Sequence, residues 1–258
     1  MQNQNTIIAI SYNTMRKAIG WIGILLPFVL ALGNIVLVKL DVLNNEWFIY
    51  KSDDCATNFV TDDILKSSIS HYYYSSVGEL FTGALAAVSL FLFTYNRHPK
   101  RKGEIGLSDA AMTNLAAIFA LGVVVFPTNY DSCITDNIRG FISSRNTGII
   151  HLLFAALFFL SLAIMSLINF RRTAVMADFG KMPSHPIYKK CGIVMLVCIA
   201  LIFIYSKFLE EKHINWLDAT NPVFTLETIA LIAFGISWLT KGKVDYNYVS
   251  KKIKTMLT

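Results

Sequence analysis

At 258 residues, with 54% hydrophobic side chains and a formal charge of +6, the chain has a mean hydropathy of +0.50, too apolar for an ordinary soluble domain and long enough for several membrane helices. Its basic residues alternate with apolar runs instead of gathering in one patch, which argues against a nucleic-acid-binding surface. The four cysteines fit neither a CxxC nor a zinc-finger spacing.

In chain order, a polar start ends in Arg16-Lys17, and the first span covers 18–38 with Pro27 in its middle, where membrane helices tolerate a kink. This run is too long for the apolar region of a signal peptide and no small-residue cleavage site follows it, so it is expected to stay as a signal anchor. A long loop, 40–76, is rich in Asp, Asn and Thr, with Trp47, Phe48 and Tyr50 as interfacial anchors. Ser70, His71 and three successive tyrosines, Tyr72 to Tyr74, lead into the second span, 77–95, which is followed by the basic turn NRHPKRKGE. An aromatic belt at one end and a basic flank at the other give this helix a direction, with the basic end cytoplasmic.

The third span, 110–126, stops at Pro127, and the loop 127–147 is polar. The fourth, 148–170, ends at Arg171-Arg172, and a basic loop leads to the fifth, 191–205. After the charged loop 206–221 comes the sixth span, 222–239, with a lysine-rich tail expected to be helical at the membrane surface. Each span is judged against the ~20 residues a helix needs to cross a bilayer.

The predicted fold is therefore all-α: a polytopic integral membrane protein, one domain, six spans, both termini cytoplasmic. Charge tests that arrangement. Arg16 and Lys17, the cluster 97–102, the loop 171–190 and the tail from Lys241 carry sixteen of the 23 Lys and Arg, all on the side with the termini. For contacts between helices, Gly83 with Ala87 and Ala116 with Ala120 have the small-xxx-small spacing.

Three fragments resemble the Frag1/DRAM/Sfk1 family. SISHYYYSSVGELF is similar to the Ser-rich start of that family's second helix. His151 followed by LLFAALFF resembles its fourth helix, and Glu227 in FTLETIALIAFGISWL resembles the acidic residue of its last helix. In this chain Thr228 stands where that family usually has Trp, and His71 follows Ser-Ile-Ser in place of an acid. The resemblance implies a distant bacterial branch and a lipid-related role, since members are linked to lipid and glycolipid-anchor remodelling, lipid distribution and autophagy.

Four ionisable residues, His71, Asp131, His151 and Glu227, fall near the outer ends of different spans, with Ser70 beside them. Such groups are costly near membrane depth and usually face partners inside a bundle. The bland expectation is a structural lock, with His151 paired to Glu227 and no cofactor. The sharper one is a zinc site made of His71, Asp131, His151 and Glu227 that activates water, which resembles the membrane hydrolases that include alkaline ceramidases and adiponectin-receptor-like proteins. Those have seven spans and closely spaced histidine pairs; this chain has neither HxxxH nor HxxH. Cys55 and Cys133 share the predicted outer side and could form a disulfide there.

The favoured function is a non-enzymatic protein of a bacterial inner membrane with a lipid-related or scaffolding role and membrane lipids as partners; no protein partner is indicated. The alternatives are a metal-dependent lipid hydrolase and a small-solute transporter.

Overall fold

The computed structural model describes residues 2–39, 65–95, 106–128, 147–171, 175–176, 180–181, 186–212 and 220–257. Six long helices make up most of these: α1 (Gln2–Lys39), α2 (Gly78–Phe93), α3 (Asp109–Val125), α4 (Thr147–Ile164), α5 (Ile187–Ile204) and α6 (Pro222–Leu257). A 3₁₀ helix, Ser70–Tyr74, precedes α2. Single π turns extend α4 over Met165–Asn169 and α5 over Tyr205–Leu209. The described strands are β1 (Val175–Met176) and β2 (Gly180–Lys181), a two-residue antiparallel pair.

Consecutive helices pack side by side, and α6 closes the ring against α1. The helical bounds depart from the expected spans at several ends. α1 begins at Gln2, not at 18, and continues through Pro27. α5 begins at Ile187, not at 191, with Pro186 as its N-cap, where the missing N–H costs no ladder bond. The lysine-rich tail is helical, and it continues α6 without interruption. At the start of α6, Asn221 takes the left-handed conformation (φ 45°) that asparagine tolerates, and Pro222 opens the helix with its preset φ.

Four segments are long and apolar enough to cross a membrane: Thr14–Leu37, Thr147–Asn169, Ile187–Leu209 and Pro222–Lys243. α2 and α3 are apolar but shorter, at 16 and 17 residues. Polarity is inverted relative to a soluble protein. Leu152 on α4 is 63% exposed and Phe203 on α5 is 65% exposed, while Ser89, Thr113 and Ser237 are fully buried. An outside of leucine, isoleucine, valine and phenylalanine around an inside of small and hydroxylated residues is the pattern of an integral membrane protein.

Packing inside the ring depends on small residues. A Cβ built on Gly235 of α6 would lie 2.5 Å from the Gly20 carbonyl oxygen of α1, and one on Gly20 would lie 2.9 Å from the Gly235 carbonyl oxygen. The two backbones meet where neither has a side chain. Between α2 and α3, the Ser89 hydroxyl donates to the Ala117 carbonyl at 2.9 Å, with Ala116 and Ala120 buried beside it. The expected Gly83–Ala87 contact is absent: Gly83 is exposed, and a Cβ there would meet nothing within 4 Å. Helix α2 turns the face with Leu85, Val88 and Leu92 inward instead, because those side chains fill more of the core.

Candidate functional site

The polar side chains collect at the two ends of the ring. At one end, the stretch Leu65–Ser75 forms a strap laid against the start of α6. The Phe224 N–H donates to the Ser67 carbonyl at 2.9 Å, and the Ile69 N–H donates to Glu227 Oε2 at 2.6 Å. Glu227 stands about one and a half turns into α6, which is where its carboxyl reaches the strap backbone. Tyr72, fully buried, accepts from the Lys66 N–H at 3.3 Å and packs on Phe224 with ring centroids 6.0 Å apart. Burial raises the Tyr72 phenol above its ordinary pKa, against the opposing pull of the Lys66 N–H.

The strap closes on itself as well. Ser67 Oγ and His71 Nδ1 are 2.8 Å apart, and the His71 N–H donates to Ser68 Oγ at 3.2 Å. Ser70 lies partly buried at the first position of the 3₁₀ helix. Toward α3, the Tyr74 hydroxyl donates to the Thr128 carbonyl at 2.7 Å. His151, fully buried on α4, sits 2.6 Å by its Nδ1 from the Phe126 carbonyl oxygen. A carbonyl can only accept, so Nδ1 carries a proton; Nε2 has no partner among the described residues.

The structure thus separates two residues expected to pair. Glu227 is bonded to the strap and His151 to the end of α3. Their helices, α4 and α6, do touch, at the basic end, where Ser166 of the α4 extension lies 2.6 Å from Ser237 of α6. Asp131, Cys55 and Cys133 lie outside the described residues. Cys191 and Cys198, seven apart on α5, are both buried and free.

Burial lifts the Tyr74 phenol well above its ordinary value of 10.0, and neighbouring Tyr73 adds to the effect. The folded chain therefore keeps this proton at pH values where the unfolded chain loses it. Its contribution is complete below pH 10 and declines as pH rises toward the folded-state value. Tyr74→Phe should lower stability by about 1 kcal/mol at neutral pH. The gap to wild type should narrow above pH 10, as read from paired melting curves.

The other end of the ring holds a cluster that the sequence reading counted only as topology. Arg16 is fully buried and donates to the Tyr95 hydroxyl from Nη2 at 2.8 Å and from Nε at 3.1 Å. Tyr95 meets Trp238 edge to face, Trp238 meets Phe170, and Phe170 meets Tyr188. Lys241 Nζ lies 5.9 Å from the Tyr188 ring centroid. The π turn that ends α4 re-aims two side chains here. Ser166 donates to the Tyr188 carbonyl at 2.9 Å and lies 2.6 Å from Ser237 Oγ, and Asn169 Nδ2 donates to Asp109 Oδ1 at 2.8 Å. The signal for this basic end was the placement of Arg16, Tyr95, Tyr188, Trp238 and Lys241 at span ends, where aromatic and long basic side chains gather.

One family model matches residues 60–240, more than half of the chain. The chain belongs to the DUF998 family. The family is described as a protein of unknown function, and its match takes in the strap, Glu227 and His151 but not Arg16 or Lys241. No curated protein and no solved structure matches this DUF998 member. Among its described residues, no three His, Cys, Asp or Glu side chains come together in a way that could hold a metal ion.

Proposed function

We propose that this DUF998 protein is a non-enzymatic, lipid-associated scaffold that crosses a bacterial inner membrane six times, with both ends in the cytoplasm. The inverted distribution of side chains carries the reading: exposed Leu152 and Phe203 outside, buried Ser89, Thr113 and Ser237 inside. A chain so built has acyl chains as its nearest partners all round the ring. The orientation rests on the basic clusters, which fall with Arg16 and Lys241 at one end. The resemblance to the Frag1/DRAM/Sfk1 family supports the lipid-related part. The scaffold part is supported by the strap end, where Glu227, His71 and His151 each close on a group of this chain.

A second reading, a zinc-dependent lipid hydrolase, is favoured by one observation: the buried Nε2 of His151 has no hydrogen-bond partner among the described residues. Native mass spectrometry of protein taken from membranes in mild detergent, without chelator, tests both. The scaffold is expected to retain phospholipid, and a C-terminal fluorescent-protein fusion to light up in the cytoplasm. Lipid-free protein or a C-terminus on the outer side would overturn it. Stoichiometric zinc, lost in a folded His151→Ala variant, would replace it with the hydrolase.

A further inference from the structure

Two acceptors at the strap end point into the ring. Glu227 shares one stripe of α6 with Leu231, Phe234 and Trp238, all of them buried, while Ile229 and Ile236 on the opposite stripe are exposed. Its carboxyl accepts from the Ile69 N–H through Oε2; among the described residues, no side chain bonds to Oε1. His151 shares one stripe of α4 with Phe158 and Leu162, again buried. Its Nδ1 holds a proton against the Phe126 carbonyl, so in the neutral ring Nε2 is an acceptor, and it has no partner among the described residues.

The ring leaves room near these groups. On the inward side of α6, Ala230, Leu231 and Phe234 are buried, whereas Val223, Phe224 and Glu227, nearer the strap, keep accessible surface. The Ser166–Ser237 contact fixes the level of α4 against α6. Glu227 precedes Ser237 by ten residues and His151 precedes Ser166 by fifteen, so His151 stands about 7 Å further toward the strap.

A carboxylate at membrane depth is costly without a counter-charge, and a cation that carries its own N–H donors supplies both charge and hydrogen bonds. A metal ion fits the place poorly, because no three His, Cys, Asp or Glu gather among the described residues. An ammonium group needs no fixed coordination. The Phe224 ring, one turn outward from Glu227 and packed on Tyr72, has a face that attracts such a cation.

We infer that the strap end of the ring binds an organic ammonium ion, with Glu227 as its counter-charge and His151 as the acceptor for a second N–H or O–H about 7 Å further out. A short aliphatic diamine or amino alcohol has this chemistry, and an aminophospholipid headgroup shares its ammonium part. The strap covers the place from outside through the Ile69 and Phe224 N–H bonds. The site goes beyond the scaffold reading, which requires no occupant inside the ring.

The test uses the full chain in phosphatidylcholine nanodiscs, with diaminopentane, ethylamine and tetramethylammonium chlorides added at equal ionic strength and the melting temperature read for each. Diaminopentane, long enough to reach from Glu227 to His151, is expected to raise it by several degrees. Ethylamine should raise it by less, and tetramethylammonium, which has no N–H, should leave it unchanged. Glu227→Gln keeps the strap bond and should abolish both shifts; if it does not fold, the ranking of the three probes on wild type still decides. In a second arm, native mass spectrometry counts the lipids kept from nanodiscs of equal phosphatidylethanolamine and phosphatidylcholine. Several-fold retention of phosphatidylethanolamine, lost in Glu227→Gln, would assign the ammonium to a lipid headgroup, and retention at the bulk ratio beside a diaminopentane shift would assign it to a free amine. Equal shifts from all three probes would overturn the site. So would a shift that survives Glu227→Gln, or the absence of both shift and retention, and each of these leaves the lipid-associated scaffold standing.

Discussion

Gly235→Val is expected to leave little folded protein, while Gly83→Val should melt within about 0.5 kcal/mol of wild type. A Cβ at Gly235 would lie 2.5 Å from the Gly20 carbonyl oxygen and equally close to the Ile24 side chain. Ile24 could change rotamer, but the carbonyl belongs to the backbone of α1 and cannot move without taking the helix with it. Overpacking a tight contact costs about 1 to 3 kcal/mol, and an obstacle made of backbone puts this site at the upper end or beyond. Because α6 closes the ring on α1, the separation of these two helices opens the whole bundle. At Gly83 a Cβ would meet nothing within 4 Å. Thermal unfolding in one detergent, followed by size-exclusion chromatography, reads both variants. Equal losses at the two positions would show that α1 and α6 do not approach as described.

The contrast between these glycines shows what was legible in the sequence. Hydropathy located six apolar stretches, because the length of a span and the charge at its ends are properties of the stretch itself. It could not tell which face of an apolar helix turns inward. Around α2 both faces are apolar, so the periodicity that exposes the buried side of a soluble helix is missing. Gly83–Ala87 therefore looked like a contact, while Gly20 and Gly235, which approach each other from opposite ends of the chain, had no local mark. Ala116 and Ala120 had the same spacing as Gly83 and Ala87, and they do lie buried. The polar residues followed the same logic. That Glu227 needed a partner could be read from its depth in the last span. That the partner is a backbone N–H at Ile69 depended on a strap with no periodic signal. His151 was matched to Glu227 because both open their helices from one side, but each reaches a backbone group instead, Glu227 the Ile69 N–H and His151 the Phe126 carbonyl.

Replacing Glu227 by alanine is expected to cost about 1 to 3 kcal/mol, the usual penalty when a hydrogen bond to a buried group loses one partner. The donor left behind is the N–H of Ile69, whose residue is only 5% exposed. Nearby, the strap still holds α6 through Phe224 N–H to Ser67 carbonyl and through the Tyr72–Phe224 ring contact. The loss should therefore be local before it is global. Amide exchange at Ile69 should speed up by far more than the fall in melting temperature implies, with the amides of α4 unchanged. Glu227→Gln keeps an oxygen acceptor at the same reach and should lose far less, since the Ile69 N–H keeps a partner. This pair of variants also separates a lock from a chemical role. A lock is graded: glutamine serves nearly as well as glutamate, and alanine fails. A proton-transferring or metal-binding carboxylate would fail with glutamine even where the strap stays closed. An Ile69 amide as protected in Glu227→Ala as in wild type would remove the lock, and the depth of Glu227 in α6 would then require another partner.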